Sequence, residues 1–277
     1  MDGTEDPLFS VAGRIAVVTG AFGQIGAEFA RALHARGARV VVTSRAAGAD
    51  AGERLGIGAE RDRLMAVQMD ITDQASVDAA FDQVVDAWGV PTIVVNNAGI
   101  DTQPSASPEV SGPFEQFPAE VFREVVDTNL VGTFLVTQAA GRRMRNTGLA
   151  GSIVNVGSIY GMVSPVQDIY AYKALDTGVP FIKPVAYSAA KSGIYNLTRY
   201  CATYWGRTGI RVNTLTPAGV WRETQDEKFH ANYEARIPIG RMAQVDEYNG
   251  ALIFLASDAS RYMTGSNLVV DGGWTAW

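Results

Sequence analysis

Tyr187 and Lys191, in the run YSAAK, are the two residues whose types and spacing point most directly to chemistry. They lie four residues apart in a stretch with a helical pattern, and this spacing places both side chains on one face of a helix. A nearby ammonium favours the phenolate and lowers the pKa of a tyrosine from its free value of roughly 10. Such a tyrosine can exchange a proton with an alcohol or a carbonyl near neutral pH. The same pair also occurs on ordinary helix surfaces, so the interpretation depends on the other motifs.

Strand patterns alternate with helical patterns along the chain. The predicted strands are nearly continuous apolar runs at 15–19, 39–43, 64–69, 92–96, 153–156, 210–216 and 267–270. The predicted helices are one marked by Ile25, Phe29 and Leu33, and four others at 78–88, 120–144, 187–203 and 245–256. This alternation predicts an α/β fold with a parallel sheet covered on both sides, and no linker divides the chain. In such sheets ligands bind beyond the carboxyl ends of the strands.

The first predicted strand runs into the glycine-rich segment TGAFGQIG, residues 19–26. Glycines let the backbone approach a pyrophosphate closely, and the N-terminus of the following helix favours its negative charge. The strand before this segment and the helix after it are the context that the motif requires. The segment therefore predicts a dinucleotide site.

The composition of the chain restricts the classes of molecule that it is expected to bind. The chain of 277 residues has a net charge of −6 and no basic cluster, which argues against non-specific binding to nucleic acid. The chain has a single cysteine, Cys201, which excludes an internal disulfide and a metal site formed by several cysteines. We expect Cys201 to be a small buried residue. No run reaches transmembrane length, and the acidic first ten residues lack the apolar stretch of a signal peptide. We expect a cytoplasmic protein that binds a small molecule and neither a membrane nor a metal.

Over nearly its whole length the chain resembles the single-domain branch of the short-chain dehydrogenase/reductase family. The matching runs are TGAFGQIG, Asp70-Ile71, NNAG at 96–99, VVDTNLVGTF around Asn129, IVNVGS ending at Ser158, YSAAK, VNTLTPAG and MTGSNLVVDGG. The resemblance implies a Rossmann-type, doubly wound, seven-stranded parallel sheet with helices on both faces. It implies one domain over 1–277, with an N-terminal arm at 1–10 and a substrate lid at 220–241. Some features are most similar to reductases associated with bacterial surface-sugar pathways.

The family's catalytic roles transfer to four residues. By resemblance, Tyr187 is the acid or base, Lys191 lowers its pKa and holds the nicotinamide ribose, Ser158 binds the substrate oxygen, and Asn129 helps to hold a water that relays protons. The implied cofactor-binding residues are Gly20, Phe22, Gln24, Ile25, Gly26, Ser44, Arg45, Asp70, Ile71, Asn97, Ala98, Gly99, Tyr187, Lys191, Pro217, Gly219 and Val220.

Four departures from the family pattern matter. The usual Pro-Gly after the sixth predicted strand is replaced by PAGV, residues 217–220. Gln24 replaces the middle glycine, which gives the TGxxGxxG spelling typical of nucleotide-sugar epimerases and dehydratases. An insertion at 161–186 separates Ser158 from Tyr187, and we expect it near the active site. There it either contacts substrate, with Tyr160, Tyr170, Tyr172 and Lys173 as candidates, or packs against a neighbouring subunit. The ending WTAW predicts that Trp274 and Trp277 lie in a subunit interface.

The end of the second predicted strand bears on the choice of cofactor. NAD sites place an acidic residue there to bind the ribose 2′-hydroxyl, whereas this strand ends VVVTSR, with Ser44 in that place and Arg45 next. A hydroxyl and a cation suit a 2′-phosphate, so NADP(H) is favoured over NAD(H). The alternative for Arg45 is an ordinary solvated charge.

The motifs together predict a nicotinamide-dependent oxidoreductase that interconverts a secondary alcohol and a ketone. The expected substrate is a polar small molecule such as a sugar, polyol or hydroxy acid, and the family resemblance implies a homotetramer or homodimer. Two alternatives stay open. One is a nucleotide-sugar epimerase or dehydratase that uses the cofactor transiently, and the other is a non-catalytic dinucleotide-binding module.

Overall fold

The computed structural model of the protein describes residues 6–58, 61–102 and 106–277. Of the predicted N-terminal arm, residues 6–10 fall within this part of the chain, and Pro7–Phe9 form a short 3-10 turn capped by the Asp6 side chain. The first five residues of the arm lie outside the described residues.

Seven strands form one parallel sheet, as predicted. They are β1 (Ile15–Thr19), β2 (Arg39–Ser44), β3 (Leu64–Gln68), β4 (Ile93–Asn96), β5 (Gly151–Val156), β6 (Ile210–Pro217) and β7 (Asn267–Val270). Their order across the sheet is β3-β2-β1-β4-β5-β6-β7, and every neighbouring pair is parallel. The chain order reverses direction between β1 and β4, which creates the crevice where doubly wound sheets bind ligands.

Helices cover both faces of this sheet. The α-helices are α1 (Gln24–Ala35), α2 (Ala51–Arg54), α3 (Gln74–Trp88), α4 (Pro108–Ser111), α5 (Ala119–Val126), α6 (Gly132–Thr147), α7 (Ile159–Met162), α8 (Tyr172–Thr177), α9 (Val185–Trp205), α10 (Glu227–Glu234) and α11 (Asn249–Ala256). Among the described residues, no helix combines the length and the apolar composition that a membrane crossing requires.

Two apolar cores lie on opposite faces of the sheet, because successive strand residues point in opposite directions. Val18 and its neighbours pack with Phe29 of α1 and with α11 in one core. Val17 and its neighbours pack with Phe81 of α3, and with α6 and α9, in the other. Cys201 is buried in this second core, as expected. The nearly continuous apolar character of the strands follows from burial on both faces.

Two predicted helices differ from the observed ones in their winding. The predicted helix at 120–144 is interrupted between α5 and α6 by a π-helical turn, Asp127–Val131. Turns of this kind are often found at functional sites, and this one contains the buried Asn129. The predicted helix at 245–256 begins as a 3-10 turn, Val245–Tyr248, before α11. Local periodicity did not reveal either change in winding.

Candidate active site

The turn between β1 and α1 requires glycine at two positions. Gly20 has a φ of +61°, and a Cβ added there would lie 2.7 Å from the Cα of Ala98. A Cβ added at Gly26 would lie 2.3 Å from the carbonyl oxygen of Gly20. The Asn97 side chain donates hydrogen bonds to the carbonyls of Thr19 (3.0 Å) and Gly20 (3.2 Å), which tie β4 to the turn. This close-packed turn at a helix N-terminus fits the pyrophosphate of a dinucleotide.

A cleft of about 1830 Å³ runs along the carboxyl ends of the strands. It is large enough for a dinucleotide and a small substrate together. Sixteen of the predicted cofactor-binding residues line it: Gly20, Gln24, Ile25, Gly26, Ser44, Arg45, Asp70, Ile71, Asn97, Ala98, Gly99, Tyr187, Lys191, Pro217, Gly219 and Val220. Phe22 does not line this cleft, because its ring lies beneath the guanidinium of Arg54, whose Cζ is 3.7 Å from the ring centroid.

Ser158 is placed at the cleft by the end of β5 and the start of α7. Its Oγ accepts a hydrogen bond from the backbone N–H of Tyr160 (3.2 Å), which caps α7. The phenol of Tyr195 donates to the Ser158 carbonyl (2.7 Å) and accepts from the Ser158 N–H (3.3 Å). Tyr195 also contacts Thr216 Oγ1 at 2.9 Å, so it joins α9, β5 and β6. This positioning role of Tyr195 was not predicted from the sequence, where its spacing of one helical turn beyond Lys191 was the only signal.

Lys191 lines the cleft, and the buried Asn129 lies close behind it. Asn129 is fully buried, accepts a hydrogen bond from the Ile100 N–H (2.7 Å) and donates one to the Ile100 carbonyl (2.8 Å). Lys191 Nζ donates to the carbonyl of Val156 at 2.7 Å. A Cβ added at Gly99 would lie 3.0 Å from Asn129 Oδ1 and 3.8 Å from Lys191 Nζ. The two side chains therefore meet at the backbone that follows β4.

The pKa of Tyr187 corrects one expectation from the sequence. Lys191 lies on the same face of α9, with its Nζ 5.8 Å from the ring centroid of Tyr187. Nevertheless, burial raises the pKa of Tyr187 above its ordinary value, and the negative charge of Asp101 adds to this effect. The Ser158 hydroxyl acts in the opposite direction. Burial also lowers the pKa of Lys191 to about 8, against the attraction of Asp101. Desolvation outweighs the attraction that helical spacing predicts.

Part of the insertion at 161–186 lines the cleft. Its candidates Tyr170, Tyr172 and Lys173, and Tyr160 just before it, all line the cleft. Tyr170 stacks on Phe229 of α10, with ring centroids 5.8 Å apart. The side chain of Asn232 on α10 donates to the carbonyl of Ile169 at 3.0 Å. The insertion therefore packs against α10 of its own chain.

The C-terminal tryptophans do not share one environment. Trp274 is buried within its own chain, with ring centroids 4.4 Å from Tyr233 and 6.3 Å from Tyr160. The expectation that Trp274 lies in a subunit interface is therefore wrong, because Tyr160 and Tyr233, which line the cleft, help to bury it within its own chain. Trp277 is 79% exposed in the single chain.

An ion pair that the sequence analysis missed lies beside Tyr187. Lys183, in the insertion, donates to Asp101 Oδ2 at 2.5 Å and to the Thr102 carbonyl at 3.1 Å. Its Nζ is 5.5 Å from the ring centroid of Tyr187, and both members of the pair line the cleft. The only sequence signals were a lysine in the apolar run FIKPVA and an acid just after NNAGI.

Comparison with known proteins identifies the family. Family models described as "short chain dehydrogenase" and "Enoyl-(Acyl carrier protein) reductase" match residues 14–179 and 170–275. The chain is 38% identical to cis-4-hydroxycyclohexanecarboxylate dehydrogenase of Sinomonas cyclohexanicum, over 95% of this chain and 97% of that protein. It is 36% identical to D-threitol dehydrogenase of Mycolicibacterium smegmatis, over 96% of this chain and 95% of that protein.

Solved structures agree with this assignment. A short-chain dehydrogenase from Leptospira borgpetersenii with bound NAD+ superposes with a TM-score of 0.84 at 32% identity, over 98% of this chain and 96% of the other. A gluconate 5-dehydrogenase from Burkholderia cenocepacia in complex with NADP and tartrate gives 0.81 at 32% identity, over 98% of both chains. The chain belongs to the short-chain dehydrogenase/reductase family and is an NAD(P)-dependent oxidoreductase acting on CH–OH groups.

Proposed function

We propose that this protein reversibly oxidises a secondary alcohol of a small polar molecule such as a sugar, polyol or hydroxy acid. The observation that carries the proposal is the convergence of Ser158, Tyr187 and Lys191 at one end of a cleft. The glycine-rich turn lies in the same cleft. The relatives named for a hydroxycyclohexanecarboxylate and for D-threitol support a polar, hydroxylated substrate.

A nicotinamide cofactor, held by the glycine-rich turn and the residues that line the cleft, would supply or accept the hydride. The residues of the chain manage the proton and the position of the substrate. Tyr187, whose pKa is raised by burial, keeps its proton at neutral pH, which is the form that protonates a carbonyl oxygen during reduction. Ser158 holds the same oxygen, and Tyr195 holds Ser158. Oxidation requires the phenolate of Tyr187, which forms when the Tyr187 proton is released to solvent and which the nearby ammonium of Lys191 stabilises; the proton of the alcohol then passes to this phenolate.

We favour NADP(H) as the cofactor. Ser44 and Arg45 line the cleft at the end of β2, and the segment 44–49 contains no carboxylate. A guanidinium and a hydroxyl at this place suit a 2′-phosphate, which a carboxylate would repel.

Asp70, which follows β3, also lines the cleft. Its carboxylate accepts hydrogen bonds from the backbone and the side chain of Thr72 (2.9 and 2.7 Å), and these bonds lower the pKa of Asp70.

Other parts of the proposal concern organisation. We regard 1–277 as a single domain in which the insertion at 161–186 and the lid at 220–241 enclose the substrate. The contact between Asn232 and Ile169 supports this arrangement. We also propose a homotetramer or homodimer, which light scattering coupled to size-exclusion chromatography will test. The cytoplasm stays the predicted location.

Replacing Tyr187 with Phe tests the mechanism directly. We expect the variant to bind NADPH as the wild type does and to lose turnover by about a hundredfold or more, since general acid–base catalysis contributes on that scale. Full turnover in the variant contradicts the mechanism. The wild type must also show a net change in the redox state of the cofactor with each turnover. A reaction that returns the cofactor unchanged would favour the epimerase or dehydratase alternative.

A further inference from the structure

Lys183 is a buried cation held beside the reacting end of the cleft. Its side chain is only 6% exposed, whereas that of its partner Asp101 is 30% exposed. The ammonium lies 5.5 Å from the ring centroid of Tyr187, about as close as Lys191 at 5.8 Å. A substrate whose oxygen contacts Tyr187 and Ser158 therefore lies within reach of Lys183 as well.

The backbone around this pair is fixed from both sides. The side chain of Gln167 accepts from the Lys183 N–H (2.9 Å) and donates to the Lys183 carbonyl (3.1 Å). The neighbouring Ile182 N–H donates to the carbonyl of Ser111 at 2.8 Å. On the other side, Asn129 holds both backbone groups of Ile100, the residue before Asp101. Lys183 is thus a positioned residue within the insertion.

The pair keeps hydrogen-bonding capacity on both members. An ammonium has three protons, and within the described residues two acceptors take them, Asp101 Oδ2 and the Thr102 carbonyl. Within the same residues, Asp101 Oδ1 accepts no hydrogen bond, and an ionised carboxylate accepts on both oxygens. One donor and one acceptor are therefore available to a ligand at adjacent points of the cleft.

The charges of the pair select the ligand chemistry. A substrate carboxylate would be attracted by Lys183 and repelled by Asp101, so the ion pair gives it little net attraction. A hydroxyl group satisfies both residues, since its oxygen accepts from the ammonium while its proton is donated to the carboxylate. This combination gives specificity for a hydroxyl, because an analogue without it leaves one donor of Lys183 and one acceptor of Asp101 unused.

We propose that Asp101 and Lys183 together bind a substrate hydroxyl on a carbon close to the reacting one, so that the substrate is a polyol with neighbouring hydroxyls. This inference rests on the proposed alcohol oxidation and names the substrate class for it. Both residues are specificity-determining, and neither takes part in the transfer of the proton or the hydride.

The test compares four-carbon probes. Steady-state oxidation of D-threitol, 2,3-butanediol, 2-butanol and 3-hydroxybutyrate is measured for the wild type, for Lys183→Met and for Asp101→Asn. Arg31→Met is the matched control, because Arg31 pairs with Glu28 on α1 and does not line the cleft. NADPH binding, followed by fluorescence, shows whether each variant is folded.

We expect the wild type to prefer the two probes with neighbouring hydroxyls. Each variant should lose about ten- to a hundredfold in kcat/KM on these probes, the range for an unpaired buried polar group. Activity on 2-butanol should fall much less than activity on the diols, since the charge of Asp101 also acts on Tyr187 with either kind of probe. Arg31→Met should match the wild type on all probes. Equal losses on diol and 2-butanol, no loss on either, or a loss confined to 3-hydroxybutyrate overturns the inference while leaving the proposed function intact. If the wild type binds NADPH but oxidises none of the probes, both the inference and the proposed function lose their support.

Discussion

The side chain of Gln24, the first residue of α1, donates a hydrogen bond of 2.9 Å to the carbonyl of Trp221, 197 residues further along the chain. Its oxygen accepts a hydrogen bond from the guanidinium of Arg222. Glutamine occupies the position where single-domain members of the family usually have glycine. The side chain of Gln24 thus connects the glycine-rich turn to the first residues of the proposed lid, across the cleft that both segments line.

Replacing Gln24 with Ala should loosen this connection. The variant loses both hydrogen bonds, so we expect faster amide hydrogen exchange in residues 221–225 and weaker retention of NADPH. The change in unfolding free energy should be about 1 kcal/mol, as is usual for lost hydrogen bonds. Hydrogen exchange followed by mass spectrometry provides the measurement. Gln74→Ala, which removes a bond to Asp78 within α3, is the control. Unchanged protection of 221–225 in Gln24→Ala would show that the contact does not hold the lid.

Replacing Tyr195 with Phe should lower kcat without changing the affinity for the cofactor. The phenol joins the backbone of Ser158 to Thr216, and its loss frees Ser158 to move away from the substrate oxygen. We expect kcat to fall about tenfold, the scale of one lost buried hydrogen bond. Steady-state kinetics with a parallel NADPH titration separates the two effects. Tyr200→Phe, on an exposed part of α9, should behave as the wild type. A fall in NADPH affinity that matches the fall in kcat would contradict a positioning role.

Lys191 should make the stability of the unliganded protein depend on pH. Burial lowers its pKa from 10.5 to about 8, so between these values the unfolded chain binds more protons than the folded one. The contribution of Lys191 to the free energy of unfolding is therefore lowest below pH 8. It rises as the pH increases towards 10, by at most about 3 kcal/mol.

Urea unfolding at several pH values between 7 and 9.5 checks this dependence. The stability of the wild type relative to Lys191→Met should increase with pH across this window, because the variant has no group to titrate. Thr203→Ala on the same helix removes no charge, so the difference between its free energy of unfolding and that of the wild type should stay constant with pH. A relative stability of Lys191→Met that does not change with pH would mean that the ammonium is not desolvated.

Replacing Arg45 with Ala should weaken NADPH binding by about tenfold and leave NADH binding nearly unchanged, because a guanidinium contributes a charge-assisted hydrogen bond only to the 2′-phosphate. Fluorescence titration with each dinucleotide gives both affinities. Arg39→Ala, at the other end of β2, removes a guanidinium that lies over Trp88 and should affect neither. Equal losses for the two dinucleotides would assign Arg45 a general electrostatic role and withdraw the preference for NADP(H).

Short-range patterns were sufficient to predict the strands, the parallel sheet and the glycine-rich turn. β1 and β7 have the predicted bounds, since burial on both faces leaves an unbroken apolar run that few other structures produce. The π-helical turn around Asn129 escaped prediction, because one extra residue in a helical turn barely disturbs an apolar period of this length. The family motifs located the residues at the strand ends, and the order of the sheet brought them into one cleft.

The sequence by itself thus determined the fold class, the glycine-rich turn between β1 and α1 and the placing of Tyr187 and Lys191 on one face of a helix, because each follows from local spacing. Only the tertiary structure decided that Lys183 meets Asp101, 82 residues away, and that Trp274 is buried by its own chain. It also decided that the pKa of Tyr187 is raised. These properties depend on how loops distant in the chain pack together and exclude water, and desolvation acts through every neighbouring element at once.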